Sequence, residues 1–372
     1  MGFTDSLKKL LNMNKESENK VLVTGGLGYI GSHTVVELIE QGFQVCIVDN
    51  LSNSNIQVLE GIEKITEVRP VYENIDCCDF VAMDKFMTKN PGIKCIIHFA
   101  AYKAVGESVE KPLPYFRNNL QSMVSLLELM PIHHINNIVF SSSCTVYGQP
   151  DTLPVNETCP IKPALSPYGA TKQMCEEIIR DTVAASKGEM RAILLRYFNP
   201  IGAHPTSLIG ELPNGVPNNL LPFVAQTAAG IRKKLKIFGN DYNTPDGSCI
   251  RDYIDVVDLA KAHLAAMKRM DEAGADFDGV EVYNIGTGRG LSVIEIVEKF
   301  ESVNGIKVPR EIAPRREGDI EQVWADPTLA NTKLGWKAGV PIEDTLRNIW
   351  QWQIHLADNK EEPKRGKFLG GS

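Results

Sequence analysis

A chain of 372 residues is long enough for a full doubly wound domain with a smaller one beside it, each with its own core. A hydrophobic fraction of 43% and a charged fraction of 23% are ordinary for a globular protein, and no apolar run approaches the roughly 20 residues of a membrane span, which argues against a membrane partner. The net charge of −7 argues against nucleic acid, whose phosphates are bound by clustered Lys and Arg, and leaves any anionic ligand to be met by local arginines.

Residues 1–19 carry Leu7, Leu10 and Leu11 beside Lys8 and Lys9, a weak amphipathic pattern without the long apolar stretch and small-residue cleavage site of a signal peptide. The eight cysteines form no C-x-x-C pair and no Cys/His spacing suited to zinc, so reduced thiols in the cytoplasm and no metal site are expected. Val21 to Thr24 then reads as a strand running into glycines at 25, 28 and 31 and on into a helix-periodic segment. Gly25 takes the positive φ of the turn, Gly28 admits a pyrophosphate close to the backbone, and Gly31 lets the helix pack tightly on the sheet. The helix start offers free N–H groups to the anion. Glycines at triplet spacing also serve as ordinary turns, so context has to decide. Gln44 to Val48 reads as a second strand ending at Asp49, where a carboxylate suits both ribose hydroxyls of an adenosine and repels a 2′-phosphate, favouring NAD over NADP.

Strand and helix patterns continue to alternate, the sign of βαβ units and a parallel sheet. Lys94 to Phe99, Asn137 to Ser142 and Ala192 to Tyr197 are buried strands, with a helix over Asn118 to Met130. From Pro200 to about Gly239, prolines and glycines break the periodicity and a second lobe begins. Tyr253 to Met270 reads as a long helix, Val282 to Gly286 as a strand and Ser292 to Val303 as another helix. The expected fold is α/β, a doubly wound Rossmann-type sheet with a smaller, discontinuous substrate-binding domain. Its divisions are an extension (1–19), a dinucleotide-binding domain (20–199, rejoined near 250–262), a substrate domain (200–355) and a tail (356–372).

Ligands of such sheets bind beyond the carboxyl ends of the strands, which directs attention to Ser141, Ser142 and Ser143. Ser166 and Pro167 read as the N-cap and first position of a helix on which Tyr168 and Lys172 share one face. Ten tyrosines and roughly six per cent lysine give about half a Tyr-x-x-x-Lys match by chance, so position matters more than pattern. A phenol is a general base at neutral pH only if its pKa of about 10 falls by roughly 3 units. Lys172, a cationic nicotinamide and a helix N-terminus all push that way.

These residues carry a family resemblance. T-G-G-x-G-Y-I-G-S-H, S-S-S-x-T-V-Y-G, S-P-Y-G-x-x-K, L-L-R-Y-F-N-P, P-N-N-L, I-F-G-N-D-Y, R-D-Y-I and A-P-R-R-E-G-D, in this order from about Lys20 to about Trp352, resemble the UDP-galactose 4-epimerases, extended short-chain dehydrogenases/reductases. The resemblance implies an isomerase that oxidises a UDP-hexose at C4, lets the 4-keto sugar turn over and reduces it on the other face. Tyr168 would be the base, Ser143 its hydrogen-bonding partner, Thr145 a neighbour of the sugar, and Lys172 the holder of the nicotinamide ribose. Gly25, Gly28, Tyr29, Ile30, Gly31, Asp49, Asn50, Leu51, Ser52, Asn53, Asp76, Cys77, Phe99, Lys103, Asn118 and Tyr197 would line the NAD site. Asn199, Asn218, Asn219, Leu220, Phe238, Arg251, Arg316, Asp319 and Val323 would meet the UDP-hexose, and the resemblance further implies a homodimer built from helices of the dinucleotide domain. Val323 stands where the family places a residue that bears on sugar size, so turnover of both plain and 2-acetamido hexoses is expected. A nucleotide-sugar 4,6-dehydratase is the alternative, but relatives of that type resemble S-T-D-E-V-Y-G where this chain has Cys144 and Thr145. A non-catalytic NAD-binding regulator is a second alternative, and the intact set Ser143, Tyr168 and Lys172 speaks against it.

Overall fold

The computed structural model describes residues 19–213, 215–217, 219–277, 279–316 and 319–361; the expected N-terminal helix pattern and the end of the tail fall outside them. The strands are β1 (Lys20–Thr24), β2 (Gln44–Val48), β3 (Val71–Glu73), β4 (Ile93–His98), β5 (Asn137–Ser143), β6 (Arg191–Tyr197), β7 (Asn199–Ile201), β8 (Leu235–Phe238), β9 (Ile250–Asp255), β10 (Val280–Ile285), β11 (Gly290–Ser292), β12 (Arg310–Ala313) and β13 (Gln322–Val323). The helices are α1 (Tyr29–Glu40), α2 (Gln57–Thr66), α3 (Phe80–Lys89), α4 (Val105–Glu110), α5 (Pro112–Ile132), α6 (Pro167–Ala185), α7 (Leu220–Ala228), α8 (Val256–Glu272), α9 (Val293–Asn304) and α10 (Ile342–Glu361).

Seven strands form one sheet in the order β10-β6-β5-β4-β1-β2-β3, and every pair in it is parallel. Alternate residues supply opposite faces: Val21, Val23, Ile97, Val139 and Leu195 meet one apolar layer, while Leu22, Ile96, Ile138, Phe140 and Leu194 meet the other. The first layer is closed by α1 packed along α8, and the second by α5 packed along α6. The order reverses between β1 and β4, so the strand ends there diverge and open a crevice.

A second body is built on β9, which pairs with β7, β11 and β13, and on the pair β12-β8. Its core joins α7, α9 and α10 through residues such as Val224, Val297, Phe300 and Leu346. Tyr253 to Asp255, expected as the start of a long helix, are strand. The Asp255 carboxylate accepts from Val257 N at 2.8 Å, so the helix starts after it, while Tyr253 to Asp255 stay extended to pair with β7. The helix expected from Asn118 begins earlier, at Pro112, because prolines are tolerated in a first turn whose N–H groups have no helical acceptor. The short strand β10 returns to the first sheet after the second body has begun, and α10 runs on to Glu361.

Beneath the end of β5 lies a buried ion pair. Glu176 of α6 receives Arg196 of β6 through Nε at 2.9 Å and Nη2 at 2.6 Å, with side chains only 6% and 4% exposed, and also accepts from the Ser142 hydroxyl. Arg196 Nη1 reaches the Tyr147 hydroxyl at 2.9 Å, which in turn donates to Asn284 of β10 at 2.7 Å. Removing one partner leaves a desolvated charge, so Glu176→Ala should cost about 3–5 kcal/mol in urea unfolding. Arg196→Met combined with Glu176→Leu should cost much less. Equal losses in both variants would mean that the pair does not carry this part of the fold.

Candidate active site

One cleft of about 890 Å³ runs along the carboxyl ends of β1, β2, β4, β5 and β6 and on to β9 and β13. At its first end, Gly25 sits at φ +70 and a Cβ there would lie 2.8 Å from Ala100 N. A Cβ on Gly31 would lie 2.2 Å from Gly25 O, so helix and turn touch backbone to backbone. Helix α1 begins at Gly28 with no side-chain cap, and Gly28, Tyr29, Ile30 and Gly31 all border the cleft. Uncapped N–H groups over a glycine cradle fit the diphosphate of a dinucleotide.

Asp49 follows β2 on the same wall. Its carboxylate accepts from Leu27 N at 3.0 Å, Leu51 N at 2.9 Å and the Ser54 hydroxyl at 2.7 Å, which fixes its plane and uses three of its roughly four acceptor positions. Leu51 therefore serves through its backbone and is not on the cleft wall, whereas Asn50, Ser52 and Asn53 are. Asp76 and Cys77 border the cleft beyond Asp49, and Phe99, Lys103, Asn118 and Tyr197 also line it.

In the middle of the cleft stands the pair on α6. Ser166 caps the helix by accepting from Gly169 N at 3.2 Å, Pro167 opens it, and Tyr168 N is held by the Ser108 hydroxyl at 3.2 Å. Ser143 ends β5 and accepts from Thr145 N at 3.2 Å. Burial pushes the Tyr168 phenol up, a hydrogen bond from Ser143 opposes this, and Cys144 adds to the rise. Lys172 is buried, donates to the Ser141 carbonyl, and lies 4.7 Å from the centre of the Phe140 ring and 5.8 Å from that of Tyr168. Burial pulls its ammonium down to about 8 against the opposing pull of Cys175 and Glu176. In the protein alone, then, desolvation outweighs the fall in the phenol pKa expected from the sequence.

At the far end the cleft is bordered by Asn199, Asn219, Arg251, Asp319 and Val323, and Thr145 also lines it. Arg251 Nη2 stands 3.9 Å from Asp319 Oδ1, a loose pairing that leaves its charge available to an anion. Three residues expected here are not on the cleft wall. Leu220 packs into the core of the second body, and Arg316 stacks on Phe238, its guanidinium carbon 4.5 Å from the ring centre. Asn218 lies outside the described residues.

Glu211 and Phe198 are among the wall residues that the sequence reading did not single out. Glu211 accepts from Asn219 Nδ2 and pairs with Lys103 at 3.9 Å; burial raises its carboxyl, against Lys103 and Asn219. It sits in the proline-broken stretch, where no periodicity exists to flag it. Phe198 borders the cleft next to Tyr197 and closes a small cluster with Val146, Tyr147 and Val323.

Comparison with known proteins gives this geometry a relationship. A family model described as GDP-mannose 4,6 dehydratase matches residues 22–349. The UDP-glucose 4-epimerase of Dictyostelium discoideum is 48% identical over 337 residues, which span 90% of this chain and 96% of that protein. The chain belongs to the UDP-glucose 4-epimerase family. Crystal structures agree. A UDP-glucose 4-epimerase from Stenotrophomonas maltophila, with bound NAD and formylated UDP-arabinopyranose, has a TM-score of 0.88 and 44% identity, covering 92% of this chain and 99% of that one. One from Bifidobacterium longum in complex with NAD+ and UDP has a TM-score of 0.87 and 45% identity, covering 91% and 99%. Members of this family therefore hold NAD in the fold described above. If Asp49 reads the adenosine ribose, Asp49→Ala should weaken NAD and reduce discrimination against NADP in fluorescence titration. An unchanged NAD to NADP ratio would show that the ribose is read elsewhere.

Proposed function

We propose that this protein interconverts UDP-galactose and UDP-glucose by oxidation and re-reduction at C4, with Tyr168 as the base. The observation that carries the reading is one cleft lined by Tyr168, Lys172 and Ser143 together with an uncapped glycine turn and Arg251. NAD, when bound, takes the C4 hydride and returns it, so the sugar passes through a 4-keto form without an outside reductant. Tyr168 Oη takes the proton of the sugar 4-hydroxyl and gives it back to the product, while Ser143 holds the same oxygen in line. This proton cycle is closed within each turnover, so a base deep in the cleft and a buried Lys172 need no path to solvent. Arg251 meets the diphosphate and Asn199 and Asn219 its polar neighbours, which leaves the hexose loosely held and free to turn.

The dehydratase description of the family model raises the second reading. Elimination across C5 and C6 needs an acid and a base beside C4, and at this strand end stand Cys144, its thiol pushed up to about 12 by burial, and Thr145, whose buried hydroxyl has no partner. Neither exchanges protons near neutral pH as a carboxyl does. We propose a cytoplasmic location, a compartment that would keep the eight thiols reduced. We propose a homodimer built from helices of the dinucleotide domain, among which α4, α5 and α6 expose Val109, Leu113 and Met174.

Val323 bears on which hexoses fit. It pairs in register with Arg251, is 5% exposed and borders the cleft, and it also packs on Tyr147 and Phe198. Valine leaves space that a larger ring would fill, so both UDP-galactose and UDP-N-acetylgalactosamine are proposed substrates.

In a coupled assay, wild type should epimerise UDP-galactose and Tyr168→Phe should keep NAD but lose on the order of 10² to 10⁴ in rate. Near-normal turnover of that variant would remove Tyr168 from the chemistry, and a 6-deoxy-4-keto product from wild type would make the enzyme a dehydratase. Val323→Tyr should suppress the N-acetylated substrate selectively, since a clash is an effective way to reject a bulkier analogue. Equal slowing of both substrates would exclude Val323 as the determinant of size.

A further inference from the structure

Lys172 is buried on α6, yet few groups are free to receive its charge. Glu176 stands one helical turn further along, but both of its oxygens are already engaged: Arg196 donates to them through Nε and Nη2, and the Ser142 hydroxyl donates to Oε1. An ammonium has three N–H donors and no acceptor. One of the three goes to the Ser141 carbonyl, and among the described residues Nζ makes no other hydrogen bond. It lies instead over the Phe140 ring, 4.7 Å from its centre, against 5.8 Å from that of Tyr168. The negative face of an aromatic ring attracts a cation within about 6 Å, and does so more strongly where water is absent.

We propose that Phe140 is a positioning residue for the reaction: its ring face holds the Lys172 ammonium at the end of β5 and leaves a third N–H to the cleft. The inference deepens the proposed function and rests on Lys172 holding the nicotinamide ribose beside the base. The ring is itself fixed. Phe140 is buried and is the register partner of His98, whose ring centre lies 6.2 Å away with the two planes at 19°. His98 in turn has Nδ1 2.7 Å from the hydroxyl oxygen of Thr24, its register partner on β1. Burial pulls the His98 imidazole down to about 3, and the charge on Lys172 pushes the same way, so at neutral pH no second cation competes for the ring. The groups that face Lys172 are Tyr168, Cys175 and Glu176 from α6, Phe140 and Ser141 from β5, and His98 from β4. Burial pulls the ammonium down while Cys175 and Glu176 pull it up, and a ring that favours the charged form acts with them. A neutral Lys172 would withdraw a cation that favours the Tyr168 phenolate, leaving the base protonated to higher pH.

Fluorination separates the charge of the ring face from the space the ring fills. Mono-, di- and trifluorophenylalanine at position 140 change the ring's size little and draw electron density from its face in steps. Lys172 is titrated by nitrogen NMR in NAD-loaded protein labelled on lysine, with its signal identified by its loss in Lys172→Met. The Lys172 pKa should fall with each added fluorine, ending about one unit lower in the trifluoro protein and in Phe140→Leu. The alkaline limb of kcat should move to lower pH in the same order, with KM for UDP-galactose within about twofold. Should the heaviest substitution fail to fold, the monofluoro protein still has to show a fall. A Lys172 pKa that is constant across the fluorine series overturns the proposal, and so does one that moves only in Phe140→Leu, since the ring would then act by packing alone. The titration needs no turnover, so a graded fall in a protein that epimerises no UDP-hexose refutes the proposed reaction while the hold of Phe140 on Lys172 stands.

Discussion

The parallel register of β5 and β6 is the constraint on which both sides of the cleft depend. Residues in register point to the same face of a sheet, and the next pair points to the other. Ser142 and Arg196 are one pair, and they face α6 to meet Glu176. Ser143 and Tyr197 are the next, and Tyr197 meets His263 of α8 on the opposite layer. A slip by one residue would exchange the two faces, burying a phenol against α6 and stranding Arg196 among the apolar residues under α8. One strand pair thus anchors the helix of the proposed base from one side and orients a second phenol from the other.

That anchoring matters because Lys172 is held where its charge is costly. It lies beside the Phe140 ring with the Ser141 carbonyl as acceptor, and desolvation alone would favour losing its proton. Glu176 is four residues further along the same helix face and pulls the other way. Since Glu176 is itself fixed by two bonds from Arg196, rotation of α6 about its axis is restricted, and Tyr168 and Lys172 are fixed with it. The carboxylate both offsets the cost of the buried ammonium and sets its direction.

Much of this was legible where short-range rules decide the outcome. The glycine turn, the strand ending at Asp49 and the helix opened by Ser166 and Pro167 follow from φ preferences, alternation and capping, and they fix the cleft's first half. Longer-range arrangements were not. Tyr253 to Asp255 carry an apolar pattern that suits either state, and only pairing with β7 makes them strand. Arg316 and Phe238 resemble cleft residues by motif, yet each finds the other at the edge of the second body. Glu211 and His263 are signalled by no pattern, because what gives them a role is a partner 108 and 66 positions away, Lys103 and Tyr197 respectively.

The irregular stretch after β7 has its own physical logic. Tyr29 at the start of α1 donates to Gly202 O at 2.8 Å, Gly61 of α2 packs so closely on Leu208 that a Cβ would lie 2.6 Å from its carbonyl oxygen, and Lys103 pairs with Glu211. On the other side, Trp352 of α10 donates to Glu211 O at 3.0 Å, and its indole closes over Gly210, where a Cβ would come within 2.7 Å. A regular helix or strand here would satisfy its own backbone and could not offer carbonyls to both bodies. The broken periodicity is therefore what lets one segment serve as a wall common to the glycine turn and the Asn219 side of the cleft.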